Sequence, residues 1–228
     1  MKSRLFSIAL IFILSSSLAF TQGTDNPGKS FGILGGVNFQ NFNGKDNSGN
    51  KLDNDMIIGY HAGVNIQVPI APEFYFQPGL LFSVKGSEND FGLLTGKYKL
   101  SYIEVPLNLV YKGLLGNGYV TLGFGPYVGY GIAGNSKLES GSVTVETDVE
   151  FTNVVETGDP LTTSHFRPFD AGGNIFFGYE MAGGLFLQLN AQLGLMKINP
   201  EDNRLVVMYG EELSVKNTGF GLSLGYRF

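Results

Sequence analysis

Cysteine and tryptophan are both absent from this 228-residue chain. The lack of cysteine excludes disulfides, thiolate metal sites and a lipid-modified N-terminal cysteine. Histidine is scarce as well, and His61 and His165 lie about a hundred residues apart, which gives no metal-ligand spacing. Basic charge is in deficit: the formal net charge is −5, and a nucleic-acid partner, which needs a basic surface, is excluded. Long apolar runs are missing too. The longest, Leu5–Leu14, is about half of the roughly 20 residues a spanning helix needs. It follows Lys2 and Arg4 and precedes the small-residue site Ser17-Leu18-Ala19, so residues 1–22 read as a secretory signal peptide. Its removal takes away two basic groups and leaves a formal charge of −7.

What is present is glycine, at 33 residues, and phenylalanine and tyrosine, at 19 and 11, without a collagen period. They fall into a two-residue alternation that recurs eight times, the mark of strands with two unlike faces. The last segment, Asn217–Phe228, shows it best. Phe220, Leu222, Leu224, Tyr226 and Phe228 share one parity; Gly219, Gly221, Ser223, Gly225 and Arg227 share the other. The seven preceding segments are Phe31–Asn41, Met56–Val68, Phe74–Lys85, Tyr98–Lys112, Tyr119–Gly131, Phe169–Glu180 and Leu185–Met196. Each is about ten residues or slightly more, the length a tilted strand needs to cross a bilayer. The small and polar face is too poor to be a solvated exterior, so the greasy face is expected to meet lipid.

Connection lengths supply a separate signal. Phe42–Asp55, Gly86–Lys97, Ile132–Pro168 and Lys197–Lys216 are long; Pro69–Glu73, Gly113–Gly118 and Met181–Gly184 are short. Outer-membrane barrels alternate long external loops with short periplasmic turns in this way. Phe31, Phe74, Phe76, Tyr111, Tyr179, Tyr226 and Phe228 are expected in one interfacial belt. Phe39, Tyr60, Phe82, Tyr130 and Phe169 are expected in the other. Backbone groups in hydrocarbon must pair internally, so strand eight should close on strand one. The expected fold is all-β: an eight-stranded antiparallel up-and-down transmembrane β-barrel with a side-chain-filled lumen. It occupies residues 31–228, after a stub at 23–30, in the bacterial outer membrane with both termini periplasmic. Pro78, Pro106 and Pro126 fall inside strands and predict local bulges or a pairing gap.

Several stretches resemble the PorT-like outer-membrane β-barrel family of the Bacteroidetes. They are Gly35-Gly-Val-Asn-Phe39, Tyr102-Ile-Glu-Val-Pro-Leu107, Gly123-Phe-Gly-Pro-Tyr-Val-Gly-Tyr130 and Leu224-Gly-Tyr-Arg-Phe228. The resemblance runs from about Phe31 to Phe228 and implies a small barrel similar to the OmpX and OmpA types. It implies service to a protein secretion and sorting system, and no catalytic residues. The C-terminal aromatic strand resembles the signal read by the barrel-insertion machinery.

The inward parity collects His61, Lys85, Glu104, Lys112, Asp170, Glu180 and Arg227. Unpaired charge in a narrow lumen is costly, so these groups are expected to pair as a structural cluster. Lys112, Glu180 and Arg227 should meet near the periplasmic ends, and His61 and Glu104 should share a second polar layer. A narrow channel or carrier for a small solute is the alternative reading of the same lumen. Enzymatic chemistry has one candidate, Thr162-Thr-Ser-His165 with Asp170, but adjacent side chains on an extended chain point apart. Asp46-Asn47 and Asp53-Asn-Asp55 lack an ordered run of calcium ligands, and Gly123-x-Gly125 precedes no helix. No metal or cofactor is expected. Outer-membrane lipids are the expected surroundings. The acidic alternation Ser142–Phe151, in connection 132–168, is expected to extend strand five or form a hairpin and to meet a protein partner.

Overall fold

The computed structural model describes residues 29–228 apart from 47, 91, 93, 161 and 205–212. The signal peptide and most of the stub lie outside the described residues. The strands are β1 (Ser30–Lys45), β2 (Ile57–Ala71), β3 (Phe74–Asp90), β4 (Thr95–Leu115), β5 (Gly118–Ser140) and β6 (Val143–Phe151). Then follow β7 (Val154–Val155), β8 (Ser164–Phe166), β9 (Phe169–Met181), β10 (Leu185–Gly194), β11 (Glu201–Asp202) and β12 (Ser214–Arg227). Antiparallel pairing runs β1–β2–β3–β4–β5–β9–β10–β12, and β12 returns to β1 from Gly32↔Arg227 to Lys45↔Ser214. The sheet is therefore a closed ring of eight strands with no free edge in its wall.

Alternation is kept around that ring. Ile58, Leu80, Phe124, Phe177, Leu189 and Leu224 are exposed on the outer wall, while Asn38, His61, Lys85, Glu104, Asp170 and Ser223 are buried inside. Outer-wall aromatics stack across strands in two belts. Phe74 pairs with Tyr111 and Phe31 with Phe228 near the short turns. Phe39 pairs with Phe220, Tyr60 with Phe82 and Tyr130 with Phe169 towards the long loops. Each short turn has one residue at positive φ: Glu73 (64°), Gly116 (62°) and Gly184 (87°).

Two expectations need correction, and another, at the prolines, resolves to one of its two alternatives. The connection Gly86–Lys97 is not a long loop: β3 and β4 stay paired to Asp90↔Thr95. The paired residues Gly86–Asp90 and Thr95–Lys97 carry no apolar side chain, which hides a strand that has left the membrane and no longer needs an apolar wall. Of the two outcomes expected at Pro78, Pro106 and Pro126, the pairing gap occurs and the bulge does not. Pairing lapses beside Pro78, Pro106 and Pro126, yet the register is the same on either side, from Pro106↔Tyr127 to Leu109↔Phe124 for example. A missing donor leaves an unbonded step in the ladder, and the flanking bonds hold the register. Third, β1 begins at Ser30 and runs on to Lys45, beyond the Phe31–Asn41 span, while β10 stops at Gly194.

Bulges do occur, at Pro69/Ala71 and Ser101/Tyr102. The second inserts Ile132 into β5 and reverses the facing of every residue beyond it, so that Gly134 turns inward against Leu100 and Val149. β5 then climbs to Gly141, at φ 57°, and folds back as β6. β6 pairs in parallel with β8, and β7 with β11. Together these segments form a cap at the loop end.

Candidate functional site

The inward-facing polar groups assemble into three separate networks, where the sequence suggested one cluster or two layers. At the turn end Glu180 takes Lys112 Nζ at 2.6 Å on one oxygen and Arg227 Nε at 2.9 Å on the other. Arg227 also donates to Asn65 Oδ1 at 2.9 Å and to Gln77 Oε1 at 3.4 Å. Lys112 lies 4.8 Å from the Tyr119 ring and Arg227 lies 5.3 Å from that of Phe186.

The middle network centres on His61. Its Nδ1 is 2.7 Å from Asn38 Oδ1 and its Nε2 is 2.7 Å from Ser223 Oγ. An amide oxygen can only accept, which puts a hydrogen on Nδ1. Asn38 passes the chain on to Ser83 at 3.2 Å. His61 and Glu104 thus belong to different networks.

The third network, nearer the loop end, holds Glu104. Lys85 Nζ lies 2.5 Å from Glu104 Oε1 and 2.9 Å from Asp170 Oδ2, and all three side chains are 0–1 % exposed. Tyr127 and Asn217 donate to the same Asp170 oxygen at 3.2 and 2.9 Å, and Gln192 donates to Glu104 at 3.1 Å. The ammonium also sits 4.3 Å from the Tyr127 ring centroid. One cation thus bridges two carboxylates in a site without water access. Three donors crowd Asp170 Oδ2, which offsets much of the cost of burial, while its Oδ1 makes no hydrogen bond. Sequence reasoning missed Tyr127 and Asn217, although both have the inward parity.

Two large aromatics also point inward, against the expectation of a small and polar interior. Phe176 lies over Gly123 and Phe186 over Gly225, each its direct cross-strand partner. A Cβ on either glycine would come within 2.2 Å of the ring. The glycines are the sockets that let these rings fill the tube.

Above the third network the interior becomes apolar. Phe42, Leu100, Tyr102, Val149, Phe166 and Ile198 form a buried cluster, flanked by Tyr98, Phe151 and Val215. The mouth of the barrel is covered by this cluster. Its rim is pinned by Arg167 N–H to the Ile198 carbonyl at 2.7 Å and by Arg204, which grips Asp202 at 2.7 Å. The guanidinium holds the Asp202 carboxyl below the usual carboxylate range.

The residues considered for catalysis lie apart. Ser164 donates to Ser136 at 3.1 Å, His165 faces Glu150 at 3.5 Å, and Asp170 is committed to Lys85 inside the barrel. Asp46 closes its own loop by accepting the amides of Ser48 and Asn50, both at 2.8 Å. Among the described residues no group of three or more His, Cys, Asp or Glu side chains is placed to hold a metal ion.

A closed antiparallel ring with an apolar, aromatic-belted exterior and a polar interior defines an outer-membrane β-barrel. Residues 20–199 match the outer membrane protein beta-barrel domain, and the chain belongs to that family. No curated protein matches it. Among solved structures it is similar to Ail, the attachment invasion locus protein of Yersinia pestis, at 14% identity and a TM-score of 0.39. The alignment covers 88% of this chain and 99% of that one. A second structure of Ail, in complex with the heparin analogue sucrose octasulfate, gives 14% identity, the same coverage and a TM-score of 0.40.

Proposed function

We propose that this protein is a non-enzymatic barrel of eight membrane-crossing strands. Its lumen is a structural plug, and its cap is the surface through which it works. The observation that carries this reading is the stacking of closures along the tube. The ionic network at Glu180, the rings of Phe176 and Phe186, the Lys85 network and the apolar cap follow one another, leaving charge paired and the mouth covered. Ser30, where the first strand begins, and Phe228 lie at the short-turn end, which in this reading is periplasmic. The cap then faces outward and carries the β5–β6 hairpin, with Glu139, Glu146, Asp148 and Glu150 on or beside it. The resemblance to PorT-like barrels supports a role beside a protein secretion and sorting assembly, with the hairpin as the contact.

Planar-bilayer recording tests the plug. The refolded protein should be silent in salt, and steady unitary conductance would replace this reading with a narrow channel. Affinity purification from native membranes in mild detergent tests the contact. A stoichiometric partner should be retained by the intact chain and lost when residues 143–150 are deleted. Equal recovery with and without the hairpin would reject it.

A further inference from the structure

On the outer wall, where β9, β10, β12 and β1 meet, a groove of about 620 Å³ lies between Ile175, Leu193, Phe220 and Thr218. Its size is within the range of about 300–1,000 Å³ used by small-molecule sites. The floor is made by residues with almost no side chain. A Cβ built on Gly173 would meet nothing within 4 Å, and the neighbouring Ala191 carries only a methyl.

Directly beyond the groove the same face changes character within a few residues. The outward pairs across β1 and β12 run Val37↔Leu222, Phe39↔Phe220, Asn41↔Thr218, Asn43↔Lys216 and Lys45↔Ser214. Lys51 is bridged across from Lys45. Phe39 and Phe220 stack at 5.1 Å and mark the membrane interface. Lys216 lies four residues past Phe220, about 13 Å along the strand, and less along the membrane normal because strands tilt. Its long side chain can reach back from there to headgroups at the level of the belt. Lys45, Lys51 and Lys216, like Lys99 and Lys197 at this end, make no ion pair among the described residues, and of these five they are the ones that share the face of the groove. The adjacent Asp46 is turned into its own loop. With the exposed Asp53 two residues from Lys51, the rim is mixed in charge, and three of its lysines stand over a chain-sized apolar seat.

We propose that this face is a binding site for a phosphate-bearing membrane lipid, with one acyl chain in the groove over Gly173 and the headgroup on Lys45, Lys51 and Lys216. The inference rests on the lipid-facing wall alone and stands apart from the partner reading of the hairpin.

Native mass spectrometry of the full mature barrel released from detergent tests it with three probes. These are phosphatidic acid, diacylglycerol with the same chains, and glycerol 3-phosphate. Phosphatidic acid should be retained in a single copy, diacylglycerol less, and glycerol 3-phosphate not at all. Lys45→Gln and Lys216→Gln should each lower retention of phosphatidic acid about fivefold and leave diacylglycerol unchanged. Gly173→Leu should fill the seat and lower both lipids alike. Ala191→Leu serves the same end should the first variant fail to fold, and a cold gel shift reports folding in each. Equal retention of phosphatidic acid and diacylglycerol by the native protein, or retention of phosphatidic acid unaltered by the lysine or groove variants, would overturn the proposal.

Discussion

Between the two aromatic belts this molecule is oily outside and charged inside; beyond the loop-end belt it is the reverse. Within the membrane Ile58, Phe124 and Leu189 are exposed and His61, Glu104 and Asp170 are buried. In the cap Leu100, Val149, Phe166 and Ile198 are buried, while Lys99, Glu146 and Asp148 are exposed. In β5 the inserted Ile132 inverts the facing as the strand leaves the bilayer, whereas β1 and β4 keep their facing and change residue type, Phe42 lying beyond Gln40 and Leu100 beyond Glu104. The same backbone ladder serves two solvents, and burial follows the solvent rather than the strand. The membrane part is held by pairing charges that cannot reach water. The cap is held by removing apolar surface from water.

The sharpest way to break this contrast is to remove the one cation of the third network. Lys85→Met leaves Glu104 and Asp170 facing each other without a counter-ion, which should cost about 3–5 kcal/mol. In urea titrations in lipid vesicles the folded band on cold gels should disappear at much lower denaturant. Adding Glu104→Gln and Asp170→Asn to that variant should restore most of the loss, because a neutral network no longer strands a charge.

The cap should respond to the opposite kind of change. Phe166→Ala removes a ring from between Phe42 and Tyr98, where the centroids are 5.7 and 5.6 Å away. A loss of about 3 kcal/mol is expected, and it should be local. Limited proteolysis should cut within residues 152–168 while the membrane ring keeps its urea midpoint. If ring and cap melt together, the two regions form one cooperative unit and the contrast is only one of composition.

A smaller effect is expected at the turn end. Glu180→Gln keeps the side-chain shape and removes the charge shared by Lys112 and Arg227. Arg227 retains Asn65 and Gln77, so the loss should be about 2 kcal/mol, read from the same urea midpoint.

The contrast also explains what could be read from residue order alone. All eight wall strands, the facing of the outer aromatics and the inward parity of the seven polar groups show in a strict period of two, because lipid tolerates few exceptions. How those groups sort into networks was not legible. Glu104 is joined to Lys85 and Asp170 instead of His61 by the stagger between strands, which no single strand encodes. Nor was the cap legible. Val149, Phe151, Phe166 and Ile198 come from separate loop segments whose alternation is short and diluted by charge, and the Ile132 insertion breaks parity without any special residue to announce it. A large aromatic beside a glycine-rich partner strand was the one available sign that Phe176 and Phe186 fill the tube.

The gentlest probe of the boundary is pH. Asp202 is held by the Arg204 guanidinium through two short contacts, and this lowers its proton affinity in the folded cap. A carboxyl bound less readily to protons when folded contributes stability above its ordinary titration range, near pH 4. That contribution is lost as the pH falls through the lowered folded value. The pair lies near the surface, so about 1 kcal/mol or less is at stake. Cleavage of the cap by an acid-active protease should therefore rise gradually below pH ~4, and Asp202→Asn should remove that rise by making the cap equally open at every pH. An Asp202→Asn protein that kept the full acid response would place the acid-sensitive contact elsewhere in the cap.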